Sequence, residues 1–140
     1  MESEKNFRNL FIFAAVWNWF ATIFFVLITA LKMPILKWFL IIIPQSYLWI
    51  YLFLSLVAVY GLGYFWAGDN VIKNRAVIKM GVIGKILVFT LLTFGWLKGV
   101  ITFLLVGVGV VDFVFAVLFI QVLRRTRDTM DVSLANQSQS

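Results

Sequence analysis

Four stretches of this chain are each long and apolar enough to cross a lipid bilayer, and they constrain its fold more than any other feature. They cover residues 10–31, 47–67, 77–97 and 101–123. An α-helix rises about 1.5 Å per residue, so roughly 20 apolar residues span the hydrocarbon core. The chain is 63% hydrophobic and 13% charged, whereas a soluble domain is about 25% charged. We therefore predict an all-α polytopic membrane protein, a single domain over residues 1–140 with four transmembrane helices in an antiparallel bundle.

The connections between the spans are short, with one exception. Residues 32–46 carry an apolar insert between Pro34 and Pro44 that is too short to cross the bilayer, which predicts a short interfacial segment between the first two helices. Residues 126–140 are polar and predict a flexible C-terminal tail. Aromatic residues at both ends of the second span predict belts at the two membrane surfaces. These residues are Tyr47, Trp49, Tyr51, Tyr60, Tyr64 and Trp66.

The basic residues predict the orientation of the helices. Eight of the twelve lie on the side that holds both termini and the second connection, and three lie on the opposite side. The eight are Lys5, Arg8, Lys73, Arg75, Lys79, Arg124, Arg125 and Arg127, and the three are Lys32, Lys37 and Lys98. Because cytoplasmic connections carry the excess of Lys and Arg, both termini are expected in the cytoplasm. The charges form no stripe on a soluble face, so a net charge of +6 does not predict a nucleic-acid partner.

Two charged residues lie deep inside the apolar stretches. If the third and fourth spans are joined by a turn centred between Lys98 and Gly99, Lys85 precedes that turn and Asp112 follows it by the same number of residues. Two antiparallel helices rise equally per residue, so both charges are predicted to reach the same depth and to meet. An isolated charge at that depth costs about 2.5–3.5 kcal/mol on insertion scales, which makes an intramembrane charge a candidate functional site.

Polar residues of the first two spans are predicted to join this pair. Asn18 and Tyr60 lie at a depth similar to that of Lys85 and Asp112, so that each helix contributes one residue to a polar centre slightly cytoplasmic of the bilayer midplane. The first helix presents a face with a 3-4-3-4 spacing, formed by Ala15, Asn18, Thr22, Phe25 and Thr29. Small residues let helices approach closely in lipid. The glycines predicted to do so are Gly61, Gly81, Gly84 and Gly109.

The Lys85–Asp112 pair has three interpretations at the level of the sequence. It is a structural ion pair that fixes the register of the helix hairpin. Alternatively, Lys85 extends its ammonium group to the cytoplasmic interface and makes no pair. In the third interpretation the two residues form a site that binds a ligand or handles protons.

The absence of two residue types from the chain reduces the number of possible functions. The chain has no Cys and no His, which excludes disulfides and thiol chemistry and removes the usual imidazole base and haem ligands. We predict no metal site, no cofactor and no catalytic residue.

The favoured function is a non-enzymatic membrane protein whose polar centre binds a lipophilic or amphipathic small molecule or supports a membrane complex. One alternative is a small homo-oligomeric transporter or channel, which would need a homodimer and would use Lys85 and Asp112 to couple to an ion or proton. The other, ranked last, is a membrane-embedded lipid-modifying enzyme.

Several short motifs together resemble a known family. Tyr60-Gly61-Leu62-Gly63-Tyr64 closes the second span and Asp69 follows it, Gly81-Val82-Ile83-Gly84-Lys85 lies early in the third span, and Asp112 lies in the fourth. With these motifs, residues 44–125 resemble a largely uncharacterised family of small bacterial four-helix membrane proteins, which is in turn distantly similar to DoxX-like proteins. Members often carry Asn where this chain has Val111, and a Trp-Pro step where it has Arg75-Ala76. The resemblance implies the four-helix fold and a location in the bacterial inner membrane, and it implies no activity.

Overall fold

The computed structural model describes residues 2–137, with side chains for residues 5–127, and this part of the chain is almost entirely helical. The elements are α1 (Glu2–Ala30), a 3₁₀ helix (Pro34–Trp38), α2 (Leu48–Asp69), α3 (Arg75–Leu97) and α4 (Phe103–Gln137). Each long helix contains a segment that is long and apolar enough to cross a membrane. These segments are Lys5–Ala30, Leu48–Asp69, Arg75–Leu97 and Phe103–Arg127. The predicted all-α fold with four helices of membrane-spanning character is confirmed.

The two segments outside the predicted spans differ in how far the structure describes them. Between α1 and α2 the chain forms the short 3₁₀ helix, with Pro34 in its first turn, where the missing N–H needs no partner. α4 continues to Gln137, beyond the predicted end of the fourth span at residue 123. The predicted flexible tail, residues 126–140, therefore begins inside α4. The side chains from residue 128 onward and residues 138–140 lie outside the described residues, so the flexibility of this tail stays a prediction.

The helices pack as two antiparallel hairpins, α1 with α2 and α3 with α4, and contacts between the hairpins are sparse. In the first hairpin, three neighbouring side chains of α1 donate hydrogen bonds to backbone carbonyls of α2. These run from Asn18 to Val57 (3.2 Å), from Trp19 to Ala58 (3.2 Å) and from Thr22 to Leu54 (3.4 Å). Such bonds hold helices together in lipid, where no hydrophobic effect drives their association.

The bundle has two ends, which we name by their residues. The basic end is the one where α2 is followed by α3, and it contains Lys73 and Arg75. The loop end contains the two other connections, residues 31–47 and 98–102. At the basic end the Arg75 guanidinium donates hydrogen bonds to the Thr126 hydroxyl and to the Leu123 carbonyl (3.0 Å), which ties the start of α3 to α4.

Backbone pairing joins the two connections at the loop end. Leu40 and Ile101 form an antiparallel bridge. Its hydrogen bonds run from the Ile41 N–H to the Val100 carbonyl (3.0 Å) and from the Thr102 N–H to the Phe39 carbonyl (2.9 Å). Gly99 adopts φ 69°, which disfavours any residue with a side chain and allows the tight turn that presents Val100. We call residues 39–42 and 100–102 the loop clasp, and it fixes the first hairpin to the second.

Packing differs between the two halves of the bundle. In the basic half, all four helices contribute buried side chains to one core, formed by Phe11, Ala14, Ala15, Tyr64, Ala67, Ile78, Val82, Phe115, Phe119 and Val122. In the loop half the buried cluster is smaller, and consists of Ile28, Leu36 and Phe39. The basic half is therefore filled, whereas the loop half leaves space between the hairpins.

The four glycines singled out from the sequence all lie against side chains of other helices. A Cβ atom at Gly81 would lie 2.6 Å from Cε1 of Tyr64, and one at Gly61 would lie 2.5 Å from the indole nitrogen of Trp19. The corresponding distances are 2.9 Å from Gly109 to Leu92 and 3.4 Å from Gly84 to Tyr60. Because real Cβ atoms essentially never come closer than 3.0 Å, Gly61 and Gly81 are positions where only glycine fits without movement of an aromatic ring.

Candidate functional site

Lys85 on α3 and Asp112 on α4 lie side by side across the second hairpin. The ammonium group of Lys85 donates a hydrogen bond to Oδ1 of Asp112 and forms an ion pair with it. The Lys85 side chain is 5% exposed and that of Asp112 is 19% exposed. The contact expected from the equal spacing around the turn is therefore present. The attraction between the two charges offsets the free-energy cost of removing each of them from water.

Asn18 extends this pair to the first hairpin. The Lys85 ammonium donates a second hydrogen bond, 3.4 Å long, to Oδ1 of Asn18, and Nδ2 of Asn18 donates to the Val57 carbonyl. The result is a polar chain that runs from α2 through Asn18 and Lys85 to Asp112 and touches all four helices. It lies where the filled basic half meets the loop half, and it is a link between the two hairpins.

Two aromatic rings enclose the ammonium group from its remaining sides. Nζ of Lys85 lies 5.3 Å from the centre of the Tyr64 ring and 5.2 Å from that of Phe115. A cation within about 6 Å of a ring centroid is attracted by the negative face of the ring, most strongly when both are out of water. Lys85 is thus held by four groups inside the bundle, and the interpretation in which its side chain extends to the membrane surface is wrong.

The structure replaces Tyr60 with Tyr64 at the polar centre. Within the described residues Tyr60 makes no hydrogen bond to Asn18, Lys85 or Asp112, and its ring lies against Gly84 instead. Tyr64, predicted as a residue of the aromatic belt, is 1% exposed and packs in the core against Phe119. The belt prediction for Tyr64 is wrong because the rotation of α2 turns this residue inward, next to the ammonium group.

A cavity of about 320 Å³ opens from the polar centre toward the loop end. Residues of all four helices and of the α1–α2 connection line it, so it lies between the two hairpins. Asn18 and Asp112 are at its inner limit, whereas Leu36 and Leu40 of the connection cover its loop end. Its volume lies at the lower end of the range of about 300–1,000 Å³ that is typical of small-molecule sites, and its wall is predominantly apolar, as such sites usually are.

The polar groups that remain available in the cavity are few. Thr29 lines it, but its hydroxyl donates to the Phe25 carbonyl of its own helix (2.7 Å). Asp112 uses Oδ1 for Lys85, and no donor among residues 5–127 reaches Oδ2. Every side-chain N or O atom that is fully buried in the described part of the chain has a hydrogen-bond partner. Because Oδ2 of Asp112 has none, it is not fully buried. Asp112, which lines the cavity, therefore has one carboxylate oxygen that no described donor reaches, while its charge is paired with that of Lys85.

The charged groups of the polar centre are one carboxylate and one ammonium group. The described residues contain no group of three His, Cys, Asp or Glu side chains that would hold a metal ion. A buried ammonium and carboxylate that neutralise each other offer hydrogen bonds and a local dipole to a ligand.

Comparisons of the chain with protein-family models, with curated proteins and with solved structures found no match. The resemblance to small four-helix membrane proteins therefore stays a prediction.

Several residues of the site were not predicted from the sequence to belong to it. Tyr64 and Phe115 contact the ammonium group, and Trp17 and Trp49 line the cavity. One signal for Tyr64 was available, because Gly61, Tyr64 and Gly68 follow helical spacing, and the structure shows that this face of α2 is buried. No comparable signal exists for Trp17 or Trp49, since aromatic residues occur on every face of α1 and α2.

Proposed function

We propose that this is an integral membrane protein that binds the hydrocarbon chain of a lipophilic molecule between its two hairpins, with the polar head of that molecule at Asn18 and Asp112. The observation that carries the proposal is the cavity of about 320 Å³ that ends at the polar centre. An apolar wall with a small number of convergent polar groups is the usual character of a small-molecule site. The Lys85–Asp112 pair then has two roles, as a link between helices and as the inner wall of the site.

The sparse packing between the hairpins supports entry of a ligand from the side. A smaller apolar pocket of about 140 Å³ shares Trp17, Ala21, Phe25 and Val108 with the main cavity, which places it between α1 and α4. A hydrocarbon chain dissolved in the surrounding lipid would pass through this seam without crossing a polar surface. The proposal therefore requires no opening of the loop clasp.

The packing of the basic half favours a binding protein over a transporter or channel. Phe11, Tyr64 and Phe119 are each at most 1% exposed and fill the space between the polar centre and the basic end. Within the described residues the cavity is therefore closed in that direction, and a path for an ion through one copy of the chain would need these rings to move. We further propose that the basic end faces the cytoplasm, since it carries the excess of Lys and Arg, and, from the resemblance to the bacterial family, that the membrane is a bacterial inner membrane.

A variant that fills the cavity tests this function. Ala21 lines the cavity, so Ala21→Phe should occupy much of the space without touching the ion pair. Ala30→Phe is the matched control, because Ala30 is an exposed residue of α1 that does not line the cavity. Native mass spectrometry should detect a retained lipophilic molecule in the wild-type protein and in Ala30→Phe, and none in Ala21→Phe. Equal retention by both variants, or none by the wild-type protein, would rule the function out.

A further inference from the structure

We infer that the cavity selects a long-chain alcohol, a neutral molecule with a hydroxyl head, over chains that carry a carboxylate, phosphate, amine or carbonyl head. This inference rests on the proposed binding function and names the class of ligand that the site would take. It depends on which polar atoms the cavity presents, on their charge and on the cavity volume.

The charged free polar atom at the inner limit of the cavity is an acceptor, and beside it lies the second N–H of the Asn18 amide, whose first N–H donates to Val57. Oδ2 of Asp112 has no donor among residues 5–127, whereas Oδ1 is taken by Lys85. An ionised carboxylate oxygen accepts hydrogen bonds and donates none. A hydroxyl head would donate to Oδ2, and hydrogen bonds to charged acceptors are about twice as strong as neutral ones. The carbonyl of a quinone or ketone has only lone pairs, so it could accept from the second N–H of Asn18 but would form no bond with the charged oxygen of Asp112.

The charges around the cavity disfavour ionic heads of either sign. The ammonium of Lys85 is 5% exposed and does not line the cavity, because Asp112, Asn18 and two aromatic rings surround it. A carboxylate or phosphate head would therefore meet the Asp112 carboxylate first and be repelled. An ammonium head would contact Asp112, but it would lie beside the ammonium of Lys85 and leave the low-dielectric centre with an uncompensated positive charge.

The volume limits how much of the chain the cavity holds. A volume of about 320 Å³ lies at the lower end of the range for small-molecule sites, so the cavity accommodates a hydrocarbon segment of moderate length. The apolar wall would surround that segment, and any longer chain would leave through the seam between α1 and α4. An alcohol of moderate chain length, such as decanol, is therefore the simplest probe.

Tryptophan fluorescence in lipid nanodiscs provides the measurement, because Trp17 and Trp49 line the cavity and bromine quenches indole emission on contact. The probes are bromodecanol and bromononyl methyl ether, which have the same number of heavy atoms but differ in the hydroxyl hydrogen. Saturable quenching above the linear membrane-partition background reports binding. Bromodecanol should bind wild-type protein about tenfold more tightly than the ether, which corresponds to about 1.4 kcal/mol. Bromodecanoate and bromodecylamine should bind more weakly than bromodecanol.

Two variants separate the selection of the head from binding of the chain. In the double variant Lys85→Met/Asp112→Leu no charge is left unpaired, and the alcohol and the ether should bind alike. In Ala21→Phe neither should bind. If the wild-type protein binds the ether or an ionic probe as tightly as the alcohol, and Ala21→Phe abolishes this binding, the selection of a hydroxyl is overturned while the binding function stands. If no probe quenches saturably in the wild-type protein, the proposed function itself is overturned.

Discussion

The contribution of Lys85 to the free energy of unfolding depends on Asp112, and that of Asp112 depends on Lys85. Removing one partner from a buried ion pair usually costs about 3–5 kcal/mol, because the remaining charge has neither water nor a counter-ion. We expect Lys85→Met and Asp112→Leu each to lower the free energy of unfolding by such an amount in micelles, and the double variant to lose much less than the sum. Lys37→Met, an exposed lysine of the α1–α2 connection, is the control and should change little. Strictly additive losses would mean that the two charges do not stabilise each other.

The close contact between Gly81 and Tyr64 leads to a second prediction about a single residue. A Cβ atom at Gly81 would lie 2.6 Å from the Tyr64 ring, which also lies against the Lys85 ammonium. Gly81→Ala should therefore displace the ring and destabilise the protein by about 1–3 kcal/mol, the usual cost of overpacking. Gly107→Ala is the matched control in α4, since nothing lies within 4 Å of the position of its Cβ. The control should be neutral or slightly stabilising, and equal thermal stability of the two variants would contradict the packing described.

At the scale of the elements, Asn18 links the two hairpins, whereas its neighbour Thr22 acts within one. Asn18 bonds to Lys85 of α3 as well as to Val57 of α2, and the Thr22 hydroxyl reaches only Leu54 of α2. Interhelical hydrogen bonds in membrane proteins average about 0.6 kcal/mol and reach about 1.7. In double-mutant cycles measured by unfolding, Asn18→Leu should couple to Lys85→Met and Thr22→Val should not. If Asn18→Leu and Thr22→Val couple to Lys85→Met by equal amounts, Asn18 does not link the two hairpins.

The loop clasp is the other connection between the hairpins, and it can be tested with cysteines because the chain has none. The Leu40–Ile101 bridge has its hydrogen bonds on the flanking residues, which brings facing Cα atoms to about 4.5 Å and permits a disulfide. Leu40→Cys/Ile101→Cys should lose both free thiols on mild oxidation, as measured by alkylation and mass spectrometry. The control pair Leu40→Cys/Ile72→Cys places the thiols at opposite ends and should stay reduced. Free thiols in the first pair would show that the clasp does not form.

At the scale of the whole molecule, the distribution of basic residues predicts how the bundle sits in a membrane. Single cysteines at Gln45 and Ile72, which are exposed at the loop end and the basic end, report the two sides. A membrane-impermeant maleimide should label Gln45→Cys in intact cells and Ile72→Cys only after permeabilisation, because the basic end is expected in the cytoplasm. The reverse pattern would invert the orientation, and labelling of both positions in intact cells would contradict a bundle whose helices all cross the membrane.

The sequence by itself was sufficient for the number of helices, the hairpin turn and the contact between Lys85 and Asp112. Hydropathy over about 20 residues is a local property, and the rise of a helix is the same for every residue, so segments of spanning length and matched depths follow from counting. Asn18 was found for the same reason, since a polar residue inside an apolar stretch stands out. The bounds of the helices were less predictable at the ends, where α4 continues well beyond its apolar segment.

Only the tertiary structure decided that Tyr64 and not Tyr60 faces the ammonium group, that the loop clasp joins the hairpins, and that a cavity remains beside Asp112. In a soluble helix the alternation of polar and apolar residues reveals the buried face, but a helix in lipid is apolar on all sides and its rotation leaves little trace in the sequence. The cavity depends further on how two hairpins with sparse contacts lie against each other. That arrangement arises from side chains far apart in the chain, and no local pattern encodes it.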